Sequence, residues 1–187
     1  MCAYEQVKSM KWKADIMDEQ QLYRSMARIA HEIIEKNNGA DHICLLGIQR
    51  RGVSLAKMLA DNIEKFGGVK VPLGEIDITH YRDDLSELSE QPETTGVVIP
   101  VDPEDYTMII VDDVIYTGRT VRAAIEAVFR RGRPSRIQLA VLIDRGHREL
   151  PIRPDYVGKN IPTAKNEQVS VKIDSYDGET GVSLFTL

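Results

Sequence analysis

Apolar residues fall into two kinds of pattern along the chain: short, nearly continuous runs and longer stretches with helical periodicity. Continuous runs lie at residues 43–48, 108–111 and 137–143, and their lengths suit strands buried on both faces. Helical periodicity follows the first run from about Val53 to Phe66 and follows the second from about Thr120. Alternating strands and helices predict an α/β fold with a mostly parallel, twisted sheet flanked by helices.

A further helix is predicted to begin after Asp18, because Gln21 stands three residues later and completes the sequence of a capping box. The apolar residues between Leu22 and Ile34 lie on one side of this helix at 100° per residue. A basic side faces away from that stripe, formed by Arg24, Arg28 and His31.

The remaining chain predicts three more strands and one long connection. Residues 69–79 alternate well enough for a strand, and residues 169–173 and 182–185 alternate as a pair joined by a turn near Asp177. The segment between His80 and Asp105 is acidic, contains prolines and lacks helical periodicity. Its length favours a mobile functional loop, which can include a short hairpin.

Length and composition indicate one soluble domain. The 187 residues are 42% hydrophobic and 28% charged, and no repeat or linker divides them. Nothing approaches the ~20 consecutive apolar residues of a membrane span. The first residues lack a secretory pattern, and two cysteines, Cys2 and Cys44, are too few for a disulfide scaffold. We therefore expect a cytoplasmic protein with no membrane partner.

The charge distribution modifies what the total charge implies. A net charge of −5 argues against nucleic-acid binding. Between Glu75 and Asp113, however, there are twelve acidic residues and one arginine, whereas between Arg119 and Lys159 ten basic residues outnumber four acidic ones. A basic face is therefore compatible with the negative total.

The most informative segment, residues 108–120, reads Met-Ile-Ile-Val-Asp-Asp-Val-Ile-Tyr-Thr-Gly-Arg-Thr. Asp112 and Asp113 follow an apolar strand and should emerge at the carboxyl edge of the sheet, where open α/β sheets bind ligands. Carboxylates there can accept hydrogen bonds from a sugar diol and help to place Mg²⁺. The turn at 115–120 can wrap a phosphate with backbone N–H groups at the start of a helix. An ordinary turn with incidental acids is the alternative, but two acids at a buried strand are costly unless they are used.

This segment resembles the ribose-phosphate signature of the type I phosphoribosyltransferases. The resemblance implies that fold, with a small hood near residues 150–187, a flexible loop near 80–105 and one domain over 1–187. It implies Mg²⁺ as cofactor, held by Asp112 and Asp113 mostly through substrate and water. It also implies a binding site for phosphoribosyl diphosphate or UMP, formed by Gly52, Asp112, Asp113, Val114, Tyr116, Thr117, Gly118, Arg119 and Thr120.

The loop Gln49-Arg50-Arg51-Gly52 stands between a predicted strand and a predicted helix, so it should lie at the same sheet edge. In the resembling family this loop binds diphosphate, often through a cis peptide, which here would join Gln49 and Arg50. Arg82 opens the acidic loop and could close over the diphosphate to exclude water. The alternatives are a solvated basic turn and a charged surface loop. The expected catalytic residues are Arg50, Arg51, Arg82, Asp112 and Asp113.

A second stretch, residues 144–160, narrows the resemblance together with Tyr-Thr-Gly-Arg at 116–119. The chain is similar, from about Asp18 to Ile173, to the branch in which one protein regulates pyrimidine-operon attenuation and is also a uracil phosphoribosyltransferase. This implies transfer of phosphoribosyl to uracil and UMP- or UTP-dependent binding of leader mRNA. The implied RNA-binding residues are Arg28, His31, Arg145, Arg148, Arg153 and Lys159. Asp144 and Arg145 are weak candidates for the base site.

Three alternatives stay open from the sequence. The protein could be an enzyme without RNA regulation, or a sensor that binds UMP or UTP without turnover. The base could be orotate or a purine instead of uracil. The charged helix face could be merely solvated, as most such faces are. The resemblance also implies a homo-oligomer, a dimer or higher assembly.

Overall fold

A computed structural model describes residues 10–78 and 96–187, in which strands and helices alternate. The strands are β1 (Lys11–Met17), β2 (Ile43–Ile48), β3 (Leu73–Ile76), β4 (Val97–Val98), β5 (Thr107–Ile115), β6 (Arg136–Asp144), β7 (Tyr156–Asn160), β8 (Glu167–Lys172) and β9 (Gly181–Thr186). The helices are α1 (Glu19–Lys36), α2 (Arg51–Gly67), α3 (Arg119–Phe129) and the short α4 (Asp174–Asp177), with one 3₁₀ turn at Pro103–Asp105.

The strands form two sheets. The larger sheet has the strand order β4-β3-β2-β5-β6-β7, and every neighbouring pair is parallel except β3 and β4. The smaller sheet is antiparallel, in the order β1-β9-β8. This confirms the predicted mostly parallel α/β fold flanked by helices.

Helix α1 begins as its sequence predicts. The Asp18 carboxylate accepts the Gln21 N–H at 2.7 Å, and the Gln21 side chain accepts the Asp18 N–H at 3.0 Å, which completes the capping box. The buried side of the helix includes Leu22, Met26 and Ile33, as the periodicity requires. The basic residues are therefore turned away from the core.

Two hydrophobic clusters cover the two faces of the larger sheet. One joins α1 and α2 to the sheet and also includes Val171, Ile173 and Val182, so the smaller sheet packs on the same core. The other joins α3 to the opposite face. Cys44 is fully buried in β2, and burial raises the pKa of its thiol to about 12.

Three elements differ from the sequence-based expectations. The strand predicted at 69–79 covers only Leu73–Ile76. The stretch after Pro151, for which no strand was predicted from the sequence, contains β7, which pairs in parallel with β6 and belongs to the larger sheet. The smaller sheet, which corresponds to the expected hood, takes its third strand from the N-terminal β1, which was not predicted. Most of the expected acidic loop, residues 79–95, lies outside the described residues.

Candidate active site

The two adjacent aspartates lie beyond the end of β2. The last pair between β2 and β5 joins Gly47 to Val111, whereas β5 continues beside β6 as far as Ile115. The strand is therefore longer than the apolar run suggested, because β6 supports it on one side. On the other side the aspartates pass the end of β2 and reach the loop that follows it.

The aspartates sit in an unfavourable electrostatic environment. Asp112 is 7% exposed, and burial together with the neighbouring Asp113 raises the pKa of its carboxyl well above the usual value. Burial also raises the pKa of Asp113, which the positive charge of Arg51 partly opposes. The Asp112 carboxylate accepts the Asp113 N–H, and the Asp113 carboxylate accepts the Val114 N–H. Sugar hydroxyls or a cation would therefore relieve the cost of ionising this pair.

The turn after β5 leads directly into α3. Gly118 has φ +94° and stands at the N-cap of α3, where it supplies no side-chain cap. The Thr117 hydroxyl accepts the Arg119 N–H at 3.3 Å, and the Thr117 carbonyl accepts the N–H groups of Glu149 and Leu150. Because the first-turn N–H groups of a helix have no intrahelical partner, this end of α3 is suited to an anion.

The loop after β2 is pressed against the aspartates by Gly52. A Cβ atom on Gly52 would lie 2.5 Å from the Val111 carbonyl oxygen, so only glycine allows this approach. The bond between Gln49 and Arg50 is cis, as the resemblance implied. Helix α2 begins at Arg51, which places Arg50 and Arg51 at the sheet edge that carries the aspartates.

Arg51 is held by a residue that the sequence did not indicate as part of the site. Its Nε and Nη2 atoms donate to the two carboxylate oxygens of Asp177, at 3.1 and 2.9 Å. Asp177 ends the short helix α4, between β8 and β9. In the sequence this residue is part of a turn signal, and no local pattern connects it to the distant arginine.

The loop after β6 packs under the turn at residues 115–120, called the phosphate turn because it is predicted to bind a phosphate. Arg148 donates to the Asp144 carboxylate at 2.5 Å, to the Tyr116 carbonyl at 2.7 Å and to the Ile152 carbonyl at 3.0 Å. Arg145 is 8% exposed, donates to the Glu167 carbonyl at 2.6 Å and lies 4.1 Å above the Tyr116 ring. Asp144 and Arg145 therefore adjoin the turn, and their role toward the base stays a prediction.

The residues expected to bind RNA divide into two groups. Arg28 donates to the carbonyls of Val157 and Gly158 in β7, at 2.9 and 2.7 Å, and Lys159 donates to the Ile16 carbonyl at 3.0 Å. Arg28 and Lys159 share one surface groove, together with Met17, Gln21, Arg24, Ser25 and Gly158.

The other predicted RNA-binding residues lie elsewhere. His31 is exposed on α1 and stacks on Phe66 at 4.1 Å, and Arg153 is exposed in the loop before β7. The guanidinium groups of Arg145 and Arg148 bind groups of the protein beneath the phosphate turn, so these two arginines do not line the groove. Their expected role toward RNA stays a prediction, and in this conformation it would be indirect.

The aspartate pair does not form a complete metal site with other side chains. Within residues 10–78 and 96–187, no group of three or more His, Cys, Asp or Glu side chains could hold a metal ion by itself. Any Mg²⁺ at Asp112 and Asp113 would therefore need ligand or water oxygens. Arg82, the third arginine expected near the diphosphate, lies outside the described residues. No helix in the described part of the chain is long and apolar enough to cross a membrane.

Comparisons with known proteins agree with this geometry. A family model described as the phosphoribosyl transferase domain matches residues 13–175. The chain is 60% identical over 168 residues to the bifunctional protein PyrR of Caldicellulosiruptor bescii, covering 90% of this chain and 92% of that protein. It is 55% identical over 173 residues to the bifunctional protein PyrR of Deinococcus radiodurans, covering 92% and 94%.

Solved structures share the fold at low sequence identity. A hypoxanthine-guanine phosphoribosyltransferase from Bacillus anthracis matches with a TM-score of 0.71 at 17% identity, covering 95% of this chain and all of that chain. A hypoxanthine phosphoribosyltransferase from Trypanosoma cruzi in complex with IMP has a TM-score of 0.70 at 19% identity, covering 94% and 91%. The chain therefore belongs to the phosphoribosyltransferase family and, within it, to the group of the bifunctional PyrR proteins.

Proposed function

We propose that the protein transfers the phosphoribosyl group of phosphoribosyl diphosphate to uracil, giving UMP and diphosphate. We further propose that it binds the leader mRNA of a pyrimidine operon in a UMP- or UTP-dependent way and promotes transcription attenuation. One observation carries the first proposal: the aspartate pair, the N-terminus of α3 and the loop at residues 49–52, called the arginine loop, meet at one edge of the sheet. The family assignment supports both proposals.

In this proposal the phosphoribosyl diphosphate lies across the sheet edge. Asp112 and Asp113 accept hydrogen bonds from the ribose hydroxyls, which satisfies carboxylates that the fold otherwise leaves poorly compensated. The 5′-phosphate binds at the turn and the first N–H groups of α3. Gly52, in the first turn of α2, packs against Val111 and Asp112 beside this turn. The contributing residues of the turn are Val114, Tyr116, Thr117, Gly118, Arg119 and Thr120.

The aspartate pair suits Mg²⁺, because its side chains offer only oxygen ligands and are buried with little compensating charge. Asp112 and Asp113 would hold the ion through substrate and water oxygens. When bound, Mg²⁺ would neutralise charge on the diphosphate.

The chemical step exchanges one bond for another at the ribose. The bond between C1′ and the diphosphate oxygen breaks, the bond between C1′ and N1 of uracil forms, and the N1 proton passes to water or to the departing diphosphate. Arg50, Arg51 and Arg82 stabilise the negative charge of the departing diphosphate. Asp144 is a poor general base, because Arg148 and the Gly146 N–H already occupy its carboxylate. Positioning and electrostatic stabilisation therefore account for most of the rate.

The base lies near Asp144 and Arg145 in this proposal. The stacking of Arg145 on the Tyr116 ring places a planar cation and an aromatic face beside the phosphate turn. Such a surface suits a flat heterocycle, but a cation there would also suit the carboxylate of orotate. A phosphoribosyltransferase for another base is therefore the competing proposal.

Diphosphate release tests the reaction directly. Purified protein with Mg²⁺ and phosphoribosyl diphosphate would be given uracil, orotate, hypoxanthine and guanine separately, with the Asp112→Asn variant as a control for contaminating activity. Turnover with uracil alone is the expected result. No turnover with any base, from folded protein that still binds UMP, would make the pocket a sensor instead.

The RNA function rests on the groove between α1 and β7. Its basic side chains, Arg24, Arg28 and Lys159, suit phosphate contacts, whereas specificity for an RNA loop would come from base contacts. Leader RNA should bind more tightly in the presence of UMP. Equal affinity with and without UMP would favour an enzyme without RNA regulation. We also propose one domain over residues 1–187, and a dimer or higher assembly in which the grooves of several subunits contribute.

A further inference from the structure

The paired side chains of Arg51 and Asp177 join the arginine loop to the C-terminal segment. The two hydrogen bonds form a bidentate contact, in which a guanidinium binds a carboxylate with high geometric specificity. The pair is only partly exposed, with 39% of the Arg51 side chain and 20% of the Asp177 side chain accessible. Residues 51 and 177 are 126 positions apart in the chain, so the pair is a tertiary contact.

Arg51 also adjoins the aspartate pair. It precedes Gly52 in the chain, and a Cβ atom on Gly52 would lie 3.4 Å from the Cα of Asp112. The hydrogen bond to Asp177 is the main reason that the pKa of Arg51 is raised. Arg51 therefore joins the segment that contacts the aspartate pair to Asp177.

Only one edge of the guanidinium is used by Asp177. The pair takes Nε and one proton of Nη2, whereas Nη1 makes no hydrogen bond to any of the described residues. An arginine side chain has five N–H donors, so three are left for a ligand. A diphosphate can therefore bind the free edge of the guanidinium without breaking its contact with Asp177.

Asp177 is itself held rigidly. Its Oδ2 accepts the Ile173 N–H at 2.9 Å, and the Ser175 hydroxyl of the same short helix lies 2.9 Å from the Ser54 hydroxyl of α2. The flanking strands β8 and β9 pair with each other, and β9 pairs with β1. The carboxylate that orients Arg51 is thus fixed by the smaller sheet and tied to the helix that Arg51 begins.

From these contacts we propose that Asp177 is a positioning residue, which aims the free edge of Arg51 at the diphosphate of the donor. This inference rests on the proposed phosphoribosyl transfer and extends its site to the C-terminal segment. The family match ends at residue 175, two positions before Asp177. The carboxylate fixes a flexible side chain before the ligand arrives, which lowers the entropy lost on binding.

Inorganic diphosphate with Mg²⁺ is the direct probe, titrated calorimetrically into the wild type and into Asp177→Asn. Asparagine keeps an oxygen for the Ile173 N–H but loses the charge that orients Arg51. We expect the dissociation constant for diphosphate to rise roughly fivefold to fiftyfold. The matched control is Asp174→Asn, because Asp174 is an exposed acid in the same short helix. It should leave diphosphate affinity unchanged.

Kinetics separate positioning from a general structural effect. Asp177→Asn should raise KM for phosphoribosyl diphosphate and leave KM for uracil unchanged, whereas Asp177→Glu should recover part of the loss. In an Arg51→Lys background, Asp177→Asn should add little, because lysine cannot form the paired contact. If Asp177→Asn unfolds at the assay temperature, Asp177→Glu carries the comparison.

Unchanged or tighter diphosphate binding by Asp177→Asn would overturn the proposal, since the carboxylate would then be neutral or a competitor. An equal loss in Asp174→Asn would overturn it too, because the effect would be one of total charge. Wild-type protein that fails to bind diphosphate would have the same consequence. A wild type that binds diphosphate but forms no UMP would instead contradict the proposed reaction, and this outcome is distinct from those above.

Discussion

Replacing Gly52 with alanine tests whether the arginine loop must lie directly against β5. The new Cβ would lie 2.5 Å from the Val111 carbonyl oxygen and 3.4 Å from the Cα of Asp112. Both neighbours are backbone atoms, so the loop or the strand must move by about 0.5 Å or more to relieve the overlap. The movement would separate the loop at residues 49–52 from Asp112 and Asp113.

The expected cost in stability follows from two opposing effects. Overpacking costs about 1–3 kcal/mol, and replacing a glycine within a helix by alanine returns about 0.5–1 kcal/mol. The free energy of unfolding of Gly52→Ala should therefore fall by about 0–2.5 kcal/mol. Because misplacement of binding groups by an ångström can cost about 100-fold, kcat/KM for phosphoribosyl diphosphate should fall at least about tenfold.

Urea denaturation and initial-rate kinetics would measure the two effects. Gly68→Ala is the matched control, because Gly68 has φ +69° at the end of α2 and its Cβ would meet nothing within 4 Å. Alanine in that left-handed conformation costs about 1–2 kcal/mol. Gly68 lies at the opposite end of α2 from Gly52 and is far from the aspartates in sequence. The control should lose stability and keep its kinetics. A Gly52→Ala protein with wild-type stability and kinetics would refute the close approach.

Three further predictions concern the acids, the turn and the RNA groove. Because folding raises the pKa of Asp112, the wild type should lose stability as pH rises from the unfolded toward the folded pKa; Asp112→Asn should lack that loss and unfold at higher urea at pH 8 while inactive, and a less stable variant at pH 8 would contradict this. Gly118→Ala should lose about 1–2 kcal/mol from its left-handed φ and bind UMP more weakly in calorimetry, whereas unchanged affinity would exclude a contact at the turn. Arg28→Ala should weaken leader-RNA binding about tenfold in filter binding without changing UMP formation; the exposed Lys57→Ala is its control, and equal loss in both would indicate nonspecific attraction.

Local signals in the sequence predicted the elements that carry the site. The capping box at Asp18, the apolar runs of β2, β5 and β6, and the turn before α3 each follow from interactions within a few residues. The fold class and the family resemblance are confirmed. Such features are readable because backbone geometry and burial impose a period on neighbouring side chains.

Contacts between distant segments could not be predicted from the sequence. Strand β1 reads as a charged segment, because most of it is exposed and only its pairing with β9 makes it a strand. Strand β7 follows two prolines and is a short edge strand whose register depends on β6. The pairing of Arg51 with Asp177 depends on where the smaller sheet packs. These features belong to tertiary packing, which leaves no periodic trace in the sequence.

The arginines of residues 144–153 show how one sequence pattern can serve a different structural purpose. The family resemblance implied an RNA-binding role for them, and in the structure Arg148 connects the Asp144 carboxylate to the Tyr116 carbonyl. Asp144 ends β6, which pairs with β7 so closely that a Cβ on Gly158 would lie 2.5 Å from the Leu142 carbonyl oxygen.

Strand β7 then carries the carbonyls that bind Arg28 in the proposed RNA groove. Direct contacts thus connect the turn at residues 115–120 to that groove through Arg148, Asp144 and the paired strands. A nucleotide that shifts Tyr116 can therefore bias the orientation of Arg28 only by moving this tightly packed edge as a unit. If it does, the coupling must be reciprocal, and leader RNA should tighten UMP binding by the same factor by which UMP tightens RNA binding.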